Sequence, residues 1–172
     1  EHGVSFRCIV PESRALDGGR PYVAPLLRTG HSVHVIPDCA LYQYIPACDA
    51  AFIGSETYYP DGTCFNTVGS ELTALLCSRF HVPFYVPTPL LKLDLRALDG
   101  YRKKPILDDH RQRIGGSWTA DETAGVDFVC PELVAIAPEF ITAYITEAGI
   151  LPPTAMYTAG LNYAAKLGGA NA

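Results

Sequence analysis

The sequence predicts an α/β fold: one open, mainly parallel sheet with helices on both faces, in a single domain spanning residues 1–172. Three observations predict it. Short apolar runs bounded by turn residues recur along the chain, at residues 6–10 (FRCIV), 33–36 (VHVI), 50–54 (AAFIG) and 83–86 (PFYV). Segments of helical character separate them, the order that right-handed βαβ crossovers require. The runs are apolar throughout, as expected for strands buried on both faces.

The first run ends before the loop signal Asp17-Gly18-Gly19. Residues 21–28 then read as a helix, with Pro21 suited to its first turn and Gly30 as its stop. After the second run, residues 40–44 form a short helix that ends before Pro46. The clearest helix lies between the third and fourth runs. Val68, Leu72, Leu75, Leu76 and Phe80 fall on one apolar stripe at a period of 3.6.

Residues 92–127 hold 14 of the chain's 31 charged residues and few apolar ones, so they read as a long exposed excursion. Within it, Arg102-Lys103-Lys104 sits close to Asp99, Asp108 and Asp109, as in a solvated loop of mixed charge. A further helix is expected from Pro138 and Glu139 through Phe140, Ile141, Tyr144, Ile145 and Ala148, with Gly149 as its C′ stop. Pro152-Pro153 forces a break, and a weaker helix containing Gly160 follows from Thr154.

Composition narrows the function. The chain has 172 residues, 48% of them hydrophobic and 18% charged, which describes a globular domain able to bury a core. A net charge of −5 argues against a direct nucleic-acid footprint. No apolar run approaches the roughly 20 residues that cross a bilayer, and no secretory signal is visible. With Glu1 first, an excised or processed start is expected. Cys8, Cys39, Cys48, Cys64, Cys77 and Cys130 lack C-x-x-C spacing, so no metal site is expected. They read as free, mostly buried thiols of a reducing, cytoplasmic setting. His31 and His34 flank the second strand and read as surface or edge residues.

Chemistry is expected where parallel strands end. The third strand runs out at Gly54, which places Ser55 and Glu56 at the carboxyl edge. The chain then passes a turn signal, Tyr59-Pro60-Asp61-Gly62, and enters the main helix across residues 66–70. Asn66, Thr67 or Ser70 can cap that helix, and Gly69 lets a ligand approach its first turn. Free N–H groups there suit an anion, and Glu56 beside them suits acid–base work on a sugar phosphate. A local partner for Glu56 and ordinary capping by Asn66 and Thr67 explain the same spacing. No Gly-x-Gly-x-x-Gly, P-loop or G-x-S-x-G motif is present, so no cofactor is expected.

Residues 52–94, "FIGSETYYPDGTCFNTVGSELTALLCSRFHVPFYVPTPLLKLD", resemble the family of translation initiation factor 2B alpha, beta and delta subunits. That family includes the methylthioribose-1-phosphate and ribose-1,5-bisphosphate isomerases. Three further stretches carry the likeness: "FRCIVPESRALDGGR", "VHVIPDCA" and "APEFITAYITEAGILPPTA". Together they cover most of the chain outside the excursion, in order.

The resemblance implies a Rossmann-like C-terminal domain, separated from the family's N-terminal helical domain, that pairs into a dimer or larger assembly. In the isomerases a carboxylate at the Glu56 position works with a cysteine from upstream. Here the isomerases' Asp is Glu56, as in the alpha subunit; the phosphate-binding Lys of the Asn-Lys pair is Thr67; and a usual Asp is Val134. A Thr hydroxyl cannot be a counter-charge as an ammonium can. Moving a carboxylate by about one carbon–carbon bond costs up to about a hundredfold in rate.

These departures favour a non-catalytic regulatory subunit of an initiation-factor-2B-type guanine nucleotide exchange assembly, closest to alpha. Its partners would be the other subunits and initiation factor 2, and its ligand a phosphorylated sugar or nucleotide held by Glu56, Asn66, Thr67 and Gly69. The alternative is an aldose–ketose isomerase of a phosphorylated ribose, with Glu56 catalytic.

Overall fold

A computed structural model describes residues 3–168. β1 (Arg7–Pro11) leads through α1 (Arg20–Arg28) to β2 (Ser32–Ile36), and the two strands pair in parallel from Arg7↔Ser32 to Pro11↔Ile36. A 3-10 turn, α2 (Leu41–Tyr44) and a second 3-10 turn then return the chain to β3 (Ala51–Phe52). The first three predicted strands and both intervening helices are therefore present, displaced by a residue or two at their ends.

After β3 the chain forms β4 (Thr57–Tyr58), β5 (Cys64–Thr67), α3 (Ser70–Phe80) and β6 (Phe84–Pro87). The excursion contributes β7 (Leu107–Asp109), α4 (Arg111–Ile114) and α5 (Ala120–Thr123), followed by β8 (Val129–Pro131) and β9 (Leu133–Ile136). The last elements are β10 (Ala143–Thr146), β11 (Gly149–Leu151) and α6 (Met156–Gly168), the expected C-terminal helix.

The expected single open sheet is not what these strands build. A four-stranded sheet runs β11-β10-β6-β3, in which β10 and β6, and β6 and β3, are parallel, while β11 is antiparallel. β1 and β2 form a separate parallel pair, β4-β5-β9 an antiparallel three-stranded sheet, and β7-β8 an antiparallel ribbon. The parallel crossovers hold, but the sheets are mixed. Segments without strand-like apolar runs, such as residues 64–67, still form strands because a neighbour supplies the hydrogen bonds.

Burial follows from this order. β6 and its neighbour β10 are central, so Phe84, Val86, Ala143 and Tyr144 are buried. β2 and β3 lie at edges, and there Val35 and Phe52 stay exposed, against the expectation of strands covered on both faces. One core joins Ile36, Leu41, Ile45, Tyr58, Cys77, Leu90, Ile136 and Met156. α3 meets it through Ser70, Ala74 and Cys77. Leu72 and Leu75, expected on the buried stripe, are exposed; Leu76 and Phe80 are half-buried.

The helix expected over residues 138–148 is absent. Pro138–Phe140 makes a 3-10 turn, and the chain then extends into β10. Thr142, Ile145 and Thr146 are β-branched and suit a strand. The deciding contact is remote: the Thr142 N–H donates to Phe84 O at 2.8 Å, and the Phe84 N–H to Thr142 Oγ1 at 2.9 Å. Pairing with β6 overrides the local helical period. Gly149, at φ +106°, turns a hairpin instead of stopping a helix.

The excursion is exposed along most of its length but is anchored. His110 is buried at 2% exposure, and its Nδ1 lies 3.0 Å from Ala15 O. Arg113 meets Asp17 at 3.5 Å, and the buried Phe128 packs edge-on against Trp118. In the basic run, the Lys103 N–H donates to the Tyr59 hydroxyl at 2.7 Å, and Arg102 turns back to the carbonyls of Ala97 and Tyr101. Of the six free thiols, Cys64 and Cys77 are buried and Cys39 is exposed. His34 is exposed beside Tyr44, and His31 is half-buried against Phe6. Among the described residues no helix is long and apolar enough to cross a membrane.

Candidate functional site

Because β3, β6 and β10 run parallel and adjacent, their carboxyl ends open on one edge. Three charged residues follow those ends: Glu56 after β3, Lys92 after β6 and Glu147 after β10. Only Glu56 is legible as a site residue in the sequence.

Glu56 is exposed and has no ion-pair partner among the described residues. Its backbone is held, since its N–H donates to Phe65 O at 2.7 Å and ties β3's exit to β5. The predicted turn follows: the Gly62 N–H donates to Tyr59 O at 2.9 Å, and the Thr63 N–H to Asp61 Oδ1 at 2.9 Å. Gly62 sits at φ +87°, where a Cβ would meet Pro153 O at 2.9 Å. Only glycine fits.

Asn66 and Thr67 do not cap α3. They lie on β5, paired with Val134 and Leu133 of β9. The cap position belongs to Gly69 at φ +98°, and no side chain accepts from the first turn. A Cβ at Gly69 would meet nothing, so the left-handed backbone explains the glycine there and the space in front stays open. Asn66 reaches Ser70 instead, its Nδ2 donating to Oγ at 3.0 Å. Asn66, Thr67 and Gly69 thus lead from β5 into the helix start in sequence order, as expected, with different local roles.

Lys92, the first residue of the stretch expected as an exposed excursion, carries no sequence signal of its own as a site residue. Its side-chain Nζ donates to Ser55 O, and its own carbonyl accepts from Thr57 Oγ1 at 2.8 Å. The Asp94 N–H donates to Tyr58 O at 2.9 Å, so residues 92–94 run alongside 55–58. Pro87-Thr88-Pro89 is the available signal, since two prolines end β6 and hold the next residues at its carboxyl edge.

Beneath this edge the polar groups are buried and kept neutral. The Tyr58 hydroxyl donates to Leu90 O at 2.7 Å and the Tyr144 hydroxyl to Gly62 O at 2.8 Å. Burial, reinforced by Glu147, pushes Tyr58 up to about 12, and burial together with Cys64 raises Tyr144 further. Burial also pushes the Cys64 thiol up to about 11, although Ser55, Tyr144 and Lys92 pull it down. Glu147 anchors the floor, its Oε2 accepting from the Leu90 N–H at 3.0 Å. The result is a dry floor under a charged, water-facing rim.

A family model, the initiation factor 2 subunit family (IF-2B), matches residues 1–153. This chain belongs to that family. It is 30% identical over 159 residues to a methylthioribose-1-phosphate isomerase of Symbiobacterium thermophilum, across 89% of this chain and 44% of that protein. Its fold resembles the solved Pyrococcus horikoshii translation initiation factor eIF-2B (TM-score 0.71, 23% identity, 87% of this chain, 50% of the other). It also resembles a 5-methylthioribose 1-phosphate isomerase from Pyrococcus horikoshii (TM-score 0.74, 19% identity, 91% of this chain, 45% of the other). The chain spans less than half the length of the curated relative it matches. Curated relatives near 30% identity carry isomerase names, which supports the isomerase alternative more than the regulatory subunit put first on sequence grounds.

Proposed function

We propose that this IF-2B family chain is the sugar-phosphate-binding, C-terminal part of an aldose–ketose isomerase acting on a phosphorylated pentose. The observation that carries the proposal is Glu56, a carboxylate without an ion-pair partner among the described residues, on the shared carboxyl edge of β3, β6 and β10. Interconverting an aldose and a ketose moves protons between adjacent carbons and their oxygens. A carboxylate held by its backbone but free at its tip is suited to carry such a proton. Relatives named methylthioribose-1-phosphate isomerase and 5-deoxyribose 1-phosphate isomerase support a substrate with phosphate on the first carbon. The cysteine that the family resemblance pairs with this carboxylate would come from the preceding part of the longer protein.

The test is turnover of methylthioribose 1-phosphate and ribose 1,5-bisphosphate by the full-length parent and its Glu56→Gln variant. The parent is expected to turn over one of them, and the variant to lose about 10²–10⁴-fold in kcat. Full activity in the variant sinks the proposal.

A second reading, the regulatory subunit, rests on Thr67 in place of lysine and on Glu at position 56. It predicts co-purification with other subunits of that type and an effect on guanine nucleotide exchange, without sugar turnover. A parent that stays alone and leaves exchange unchanged removes it.

A further inference from the structure

The excursion is tied to the body at both stems and at its tip, and the tip carries His110, the one buried histidine among the described residues. At the stems, the Lys103 N–H donates to the Tyr59 hydroxyl at 2.7 Å, and the Glu132 N–H to Ile106 O at 2.8 Å. The Val68 N–H in turn donates to Glu132 O at 2.8 Å. One stem thus joins the turn after Glu56, and the other joins the approach to α3. Between the stems, β7 and β8 pair only with each other. We propose that residues 106–131 form a flap latched by His110 to the loop after β1, and that acid opens the latch by protonating the His110 ring. The inference stands apart from the sugar-phosphate reading and does not depend on it.

Three polar contacts join the flap to that loop. His110 Nδ1 lies 3.0 Å from Ala15 O, Arg14 Nη1 donates to Arg113 O at 3.3 Å, and Arg113 Nη1 lies 3.5 Å from Asp17 Oδ2. The two arginine contacts are exposed to water and salt, which weakens them. The histidine contact is buried. A carbonyl can only accept, so Nδ1 carries the proton that bridges to Ala15, and the neutral ring keeps a lone pair on Nε2. Nε2 is itself buried and has no hydrogen-bond partner among the described residues. The closed flap is therefore built around the neutral ring. It is also a unit with little support of its own. A two-stranded ribbon and two helices of four residues each are marginal in water, so a flap that leaves the body also frays.

A second proton on the ring would go to Nε2, where nothing receives it. The charged groups on the surrounding elements do not help. Arg14 on the loop and Arg111 and Arg113 on α4 repel an imidazolium. The carboxylates are engaged elsewhere: Glu12 with Arg14 at 3.1 Å, Asp17 with Arg20 at 3.6 Å and Arg113 at 3.5 Å, and Asp109 with Arg111 at 3.7 Å. Asp108 accepts from the Asp109 N–H, and Asp127 from the Val129 N–H, both at 2.9 Å. No carboxylate among the described residues lies within ion-pair distance of His110. A buried charge without a partner is costly, whereas water solvates the charged ring once the flap is out. The open state thus takes up a proton that the closed state excludes. The latch holds at pH above the range in which a solvated histidine ring gains its proton, and is lost as pH falls through that range. With one proton bound per opening, the open fraction climbs by up to about tenfold per pH unit.

The test is amide hydrogen exchange of this chain, with each rate divided by that of an unstructured peptide at the same pH. Between about pH 8 and about pH 5, protection of the flap amides is expected to fall about tenfold or more, while the amides of β6 and β10 keep theirs. His110→Gln can still donate to Ala15 O but takes up no proton, so its flap protection should not change with pH. His34→Gln, at an exposed ring, should keep the wild-type profile. A level wild-type profile overturns the proposal. So does the same fall in His110→Gln, and so does a loss of protection in β6 and β10 together with the flap, because that marks general acid unfolding. If His110→Gln does not fold, acrylamide quenching of wild-type Trp118 decides. This is the chain's one tryptophan, and it packs on Phe128, whose carbonyl accepts from the His110 N–H at 3.2 Å. Quenching that rises over the same acid range with an unchanged far-ultraviolet circular dichroism spectrum supports the latch, and quenching that stays level overturns it.

Discussion

Removing one oxygen atom from Tyr144 gives a direct measure of how the floor of the site is held. Tyr144 is fully buried on β10, and its hydroxyl donates to Gly62 O at 2.8 Å, across the core from the turn that follows Glu56. Tyr144→Phe keeps the ring, its contact with Tyr58 at 5.7 Å between centroids and nearly all the volume. What it removes is the side-chain donor to the carbonyl of Gly62, itself a buried residue. A buried acceptor stripped of its partner costs about 1–3 kcal/mol. In a domain of this size each kcal/mol lowers Tm by about 2–4 °C. The assay is urea unfolding followed by far-ultraviolet circular dichroism, with the slope m checked to be unchanged. Tyr42→Phe serves as the control, since Tyr42 is 60% exposed, and a change near zero is expected there. A Tyr144→Phe midpoint matching wild type within about 0.3 kcal/mol would refute the idea that this hydrogen bond holds the turn.

Two further predictions concern the whole domain. Cys64 and Cys77 are raised by burial from 9.0 to about 11, and Tyr58 from 10.0 to about 12. The unfolded chain therefore releases these protons first, so their contribution to stability is intact below about pH 9 and is lost as pH rises from there towards about 12. Urea midpoints measured across that window should fall steadily, and a level profile would contradict the buried, neutral state of these groups. His81, which ends α3 at φ +57°, is exposed and occupies a left-handed position that favours glycine. His81→Gly should raise stability by about 1 kcal/mol in the same assay, and a loss would mean that the imidazole makes a contact that outweighs its backbone strain.

Much of the fold was readable because its signals are local. Turn residues, prolines and short apolar runs mark β1, β2, β3, β6, α1, α2 and α3 to within a few residues, and the break at Pro152-Pro153 marks the start of the last helix. The same local signals failed at residues 138–148, where a helical period met β-branched residues and the edge of β6 decided the outcome. They also failed on which face of α3 is buried. Leu72 and Leu75 have the larger apolar surface, but the core accepts the smaller Ala74 and Cys77, which let the helix approach the sheet closely.

For the site, sequence alone determined that a carboxylate, Glu56, follows a strand end, that a turn and a glycine-led helix come after it, and that a lysine is missing at position 67. Tertiary structure decided what stands beside it. Ser55 and Lys92 are 37 residues apart in the chain, and no periodicity or spacing relates them. They meet because β3 and β6 run parallel as neighbours, and parallel neighbours bring their carboxyl ends to one edge however long the connection between them. Strand order, which arises from long-range pairing, thus decides which charges share the mouth of the sheet.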